Sequence, residues 1–71
     1  MTRELFEHVK RNIEAYKGKE VVFSRYIPSA DRYAINSGNL IKISEYNTDV
    51  IIIGWAGTTY GIYYQNVLME S

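Results

Sequence analysis

The sequence predicts an α+β, mainly β, domain in which one N-terminal helix is followed by five short antiparallel strands. Three observations carry this. Up to Gly18 the apolar side chains recur at helical spacing. From Glu20 onward the period drops to two. Short clusters of Gly, Asn, Asp and Pro separate the strand-like runs. The helix is placed at about 3–17 and the β portion at about 19–70, within one domain covering 1–71.

The helix is read from Leu5, Phe6, Val9, Ile13 and Tyr16, which fall within an arc of about 100° on a helical wheel, the width of a core-facing stripe. Thr2 precedes it as an N-cap whose side-chain oxygen can accept from a free backbone N–H. Glu4 and Glu7 lie toward the positive end of the helix dipole, and Lys10, Arg11 and Lys17 toward the negative end. Gly18 supplies the left-handed residue that commonly closes a helix.

The first strand is read at Glu20 to Tyr26, rich in β-branched and aromatic residues. Ile27-Pro28-Ser29-Ala30-Asp31 breaks it, because proline cannot donate to a ladder. A long loop is expected from there to Asn36-Ser37-Gly38. Leu40 to Tyr46 reads as the second strand, Asn47-Thr48-Asp49 as a tight connection, and Val50 to Trp55 as the third strand. The third strand is apolar on both faces, so it is central, with the helix as cover for one side. Ala56-Gly57-Thr58 turns the chain into a fourth strand, Thr59 to Tyr64, in which Gly61 marks a bulge or bend. Gln65-Asn66 forms a corner before a last strand, Val67-Leu68-Met69.

This order of elements resembles the SH3-like and Sm-like small β-barrels. Ser37-Gly38-Asn39-Leu40-Ile41-Lys42-Ile43 followed by Asp49 to Ile53 looks like the bent second and third strands of that class. Gly61 to Met69 looks like its fourth strand, corner and fifth strand, and the helix is similar to the one across the open end of Sm-like barrels. The resemblance implies a helix packed on a five-stranded barrel. It is one of lengths and alternation: the loop Tyr46-Asn47-Thr48-Asp49 scrambles the Sm-type signature, and Gln65-Asn66 lacks the proline of an SH3 peptide groove.

Composition bounds the function. Eight basic residues balance eight acidic ones, which argues against a polyanion binder that relies on bulk charge. Cysteine is absent, excluding disulfides and thiolate metal sites and suiting a cytoplasmic location. The longest apolar run, Val50 to Ile53, is far short of the roughly 20 residues of a membrane-spanning helix, so no membrane partner is expected. The single histidine, His8, lies opposite the apolar arc. Glu45 and Asp49 flank a hairpin tip that would neither fix their separation nor raise a pKa. No enzyme, catalytic residue, metal or cofactor is expected.

Aromatic residues are the enriched class, and seven of the ten are tyrosine. Too many stand in one small domain for all to be buried, and tyrosine and tryptophan suit interfaces. Arg25 closes the first strand, and Arg32-Tyr33 lies in the long loop, where arginine beside tyrosine suits anchoring in a partner pocket. The expected binding residues are Arg25, Arg32, Tyr33, Tyr46, Trp55 and Tyr60. The expected function is a protein-interaction module, an adaptor or a small inhibitor of the kind phages encode as free-standing domains. The alternative is an Sm-like oligomer binding single-stranded RNA or a small nucleotide through stacked tyrosines. Self-association is expected along Tyr60 to Tyr64 or Val67 to Met69, where edge pairing would bury apolar surface.

Overall fold

A computed structural model describes residues 1–68. Two helical segments, α1 (Arg3–Arg11) and α2 (Ile13–Tyr16), precede four strands: β1 (Glu20–Ile27), β2 (Arg32–Ile43), β3 (Val50–Trp55) and β4 (Thr58–Tyr63). A single 3-10 turn, Tyr64–Asn66, follows. The strands form one antiparallel sheet in the order β1-β2-β3-β4. Among the described residues the architecture is therefore α+β and mainly β, with four strands in an open sheet; the fifth expected strand and barrel closure are not shown. The expected fifth strand is reduced to one bridge between Val67 and Phe23, supported by Leu68 N–H donating to Val22 O at 2.7 Å. Met69 lies outside the described residues.

The helix begins as anticipated, with Thr2 Oγ1 accepting from Leu5 N at 3.1 Å. It does not run unbroken to 17. Asn12 takes φ −123°, ψ 33°, and its side-chain amide donates to His8 O at 2.9 Å. Asparagine competes in this way for carbonyls that a helix would use, and the axis breaks there. Gly18 adopts φ +86°, and its N–H donates to Leu40 O at 2.7 Å, which docks the end of the helical segment onto β2.

The largest departure from expectation is the long loop, most of which is strand. Arg32 through Gly38 pair residue by residue with Ile27 back to Val21. Only Pro28-Ser29-Ala30-Asp31 turns, with Ala30 N–H donating to Ile27 O at 3.1 Å and Asp31 in the left-handed region at φ 48°. Such four-residue connections are common in hairpins. The low strand propensity of Ala, Asn, Ser and Gly, and the turn-like Asn36-Ser37-Gly38, conceal the strand in the sequence. Gly38 is required there for another reason. A Cβ on it would lie 2.5 Å from Gly54 O and 2.9 Å from Ile53 Cγ2.

β2 ends at Ile43, short of Tyr46, and 44–49 form a loop in which Ser44 Oγ accepts from the N–H groups of Tyr46 and Asn47. The bulge falls at Ile41, between the pairs Leu40↔Ile53 and Lys42↔Ile52. At Gly61 the register runs through unbroken, and a side chain there would crowd Val50 Cγ1 at 3.1 Å. β3 and β4 are joined by Ala56-Gly57, both at positive φ (53° and 77°), the two-residue turn whose twist matches a hairpin.

The core gathers Phe6 and Val9 of α1, Val21 and Phe23 of β1, Leu40 of β2, Ile51 and Ile53 of β3, Ile62 of β4, and Val67. Phe6 stacks on Tyr64 with ring centroids 4.5 Å apart, fixing the 3-10 turn against α1. β2 meets β3 only from Asn39 onward. The first half of β2 and the end of β1 therefore project beyond the core as a two-stranded arm closed by the Pro28–Asp31 turn. Among the described residues no helix is long and apolar enough to cross a membrane.

Candidate functional site

The arm carries three of the six residues singled out in the sequence, Arg25, Arg32 and Tyr33, and two more, Trp55 and Tyr60, lie against Arg25. Strand alternation sorts them onto two faces. Val21, Phe23, Arg25 and Ile27 share the core side of β1, opposite Gly38, Asn36, Ala34 and Arg32. Val22, Ser24 and Tyr26 share the other side, opposite Ser37, Ile35 and Tyr33.

On the core side, Arg25, Trp55 and Tyr60 form one cluster. The Arg25 guanidinium lies 5.0 Å from the Trp55 ring centroid and 5.3 Å from that of Tyr60. The two rings are 5.7 Å apart and tilted by 49°, and Trp55 meets Phe23 edge-on at 6.4 Å. Tyr60 is held there by its pairing with Ile53, and Trp55 by its pairing with Thr58 across the tight turn. A guanidinium stacked on aromatic faces keeps its in-plane N–H groups for other partners. Arg25 Nε and Asn36 Oδ1 are both buried and have no hydrogen-bond partner among the described residues. Most buried polar atoms are paired, so an unmet donor and an unmet acceptor on one face mark this surface.

On the opposite side the arm presents Tyr33 and Ile35, 61% and 60% exposed, beside Tyr26 at 45% and the half-exposed Val22. Tyr26 and Tyr33 stand directly across from each other, with ring centroids 5.4 Å apart. The Tyr26 phenol donates to Asp31 Oδ1, and that bond, with partial desolvation and the neighbouring Tyr33, raises its pKa above the ordinary phenol value. These two aromatic residues are thus fixed in place rather than loose in solvent.

Arg32 and Tyr33 belong to the arm as strand residues, on its opposite faces, and not to a loop. Tyr46 does not join the others. It is 99% exposed in the 44–49 loop and makes no ring contact among the described residues. Tyr26, Ile35 and Asn36 were missed in the sequence, because their significance depends on the β1–β2 register. The alternation of Tyr33, Ile35 and Ser37 against Ala34 and Asn36 was the available signal.

Among the described residues no group of three or more His, Asp or Glu side chains gathers as a metal site. No family model matches the chain, and no curated protein or solved structure matches it.

Proposed function

We propose that this chain is a non-enzymatic protein-interaction module that acts by occupying a partner surface, as a small inhibitor or adaptor, with the β1–β2 arm as its working part. One observation carries the reading. The arm displays the exposed Tyr26, Tyr33 and Ile35 on one face, continued toward the core by Val22. Contiguous exposed apolar surface of this kind marks interaction sites, and tyrosine supplies stiff contact area with a polar tip. The Tyr26–Asp31 bond and the Tyr26–Tyr33 contact order the face before any partner arrives, which lowers the entropy cost of binding. The scaffold in this reading is an SH3-like barrel. The Val67–Phe23 bridge, which returns the chain after β4 to the side of β1, supports that closure.

The test uses a partner captured from extracts of the encoding organism, identified, and then purified. Tyr33→Ala and Ile35→Ser should leave the melting curve close to the parent's and each weaken the purified complex about tenfold or more, as truncation of a central anchor does. Unchanged affinity in both variants would place the working surface off this face of the arm.

A further inference from the structure

We propose that the core-facing side of the arm binds a carboxylate-bearing segment of a partner protein, with Arg25 and Arg32 as its cationic contacts. The inference rests on the arm being the working surface and names the chemistry of what it takes. Arg25 pairs with Ala34 and Arg32 with Ile27, so the two arginines are diagonal neighbours on one face, with only the methyl group of Ala34 beside them in β2.

Neither guanidinium forms an ion pair among the described residues, whereas most of the carboxylates there are committed elsewhere. Glu7 meets Arg3 and Lys10, Asp49 meets Arg3, Glu14 meets Lys17, and Glu45 meets Lys42. Asp31, the acid nearest in sequence to Arg32, accepts from Tyr26, whose side chain belongs to the opposite face. A chain with zero formal net charge thus concentrates two uncompensated cations on one side of its arm.

Arg25 is also preorganised. Trp55 and Tyr60 lie against its guanidinium, and with Nε buried the two terminal Nη groups are the edge left to grip a carboxylate through two parallel hydrogen bonds. Two observations favour a protein carboxylate over nucleic acid. The cation count is far below that of a phosphate-backbone track. The two rings on this face also already carry Arg25 against them and lie tilted against each other, a poor platform for a stacked base.

Trp55 is the sole tryptophan and lies against Arg25, so its emission reports on this face. Poly-L-glutamate titrated into the full chain should shift that emission saturably, with an affinity that falls as salt is raised. Arg25→Gln and Arg32→Gln should each weaken it about tenfold. Arg11→Gln, which removes an exposed helix cation with no ion pair among the described residues, should not. Arg25→Lys should recover only part of the loss, since an ammonium has no fork. If Arg25→Gln disturbs folding, the exposed Arg32 carries the comparison. Three results would overturn the proposal: no saturable shift, an equal loss in Arg11→Gln, or tighter binding of oligouridylate than of poly-L-glutamate. Where the captured partner needs Tyr33 and Ile35 but tolerates both arginine variants, this proposal fails while the interaction module stands. If all four variants bind that partner as the parent does, the arm is not the working surface and both readings of it fail.

Discussion

Asp31 sits at φ 48°, a backbone conformation that aspartate tolerates better than most residues, and from there its carboxylate reaches Tyr26. One residue thus closes the arm's turn and orders its aromatic face. The Tyr26 phenol titrates above its ordinary value, first because of this hydrogen bond, then through desolvation, then through Tyr33. The sign follows. Ionisation is harder in the folded state, so the stabilisation is fully present below the unfolded phenol pKa and is lost as pH rises through the raised folded value. Neutral solution therefore leaves the contact intact, and alkaline solution removes it. In a ring-labelled NMR titration, Asp31→Asn should bring the Tyr26 transition down toward the ordinary phenol range. An unmoved transition would mean the bond is not formed in solution. None of this was legible at the residue level. Tyr26 reads as the end of the first strand and Asp31 as the end of the break that follows it, and only the hairpin makes them neighbours.

At the scale of elements, legibility tracked how much of the pattern was local. The helix announced itself through its arc, its threonine cap and its terminal glycine, all within eighteen residues. The break at Asn12 escaped because it depends on one side chain adding its amide to His8 O, which the Asn12 N–H already uses. β3 read true because its alternating Ile51 and Ile53 are buried in the core. The first half of β2 did not, since it pairs on one side only and places small polar residues where a core strand would have apolar ones. Val9 tests the joint between helix and sheet. It is fully buried in the cluster with Phe23, Ile51 and Ile53, and Val9→Asp would leave an unpaired carboxylate among them. A loss of about 4 kcal/mol or more is expected, enough to unfold a domain of this size. Circular dichroism and a thermal melt check it, and a parent-like melt would detach α1 from the core.

For the whole molecule, mainly-β character and the N-terminal helix were legible in the sequence, while the strand count was not. Among the described residues Val67 makes a single bridge where a fifth strand was anticipated, just after the 3-10 turn that seats Tyr64 on Phe6. The sheet order leaves β4 as an edge, and its residues Thr58–Tyr63 include no charged side chain. Charge is the usual guard against edge-to-edge pairing. Sedimentation at micromolar concentration should therefore detect a dimer that Thr59→Lys diminishes. A strict monomer at all concentrations would show that so short an edge guards itself.

The arm has a further consequence at this scale. Past Ser24 on β1 and before Asn39 on β2, the two strands are hydrogen-bonded to each other and to no third strand. Their opening need not disturb Phe6 or Val9 and, apart from releasing Arg25 from Trp55 and Tyr60, leaves the β3–β4 pairing in place, so the arm can melt and re-form as its own cooperative unit, with a smaller free energy than the domain's. A molecule that grips the arm then draws on a reserve of order that the rest of the fold does not share. It would slow amide exchange along 25–37 while leaving the core's exchange unchanged.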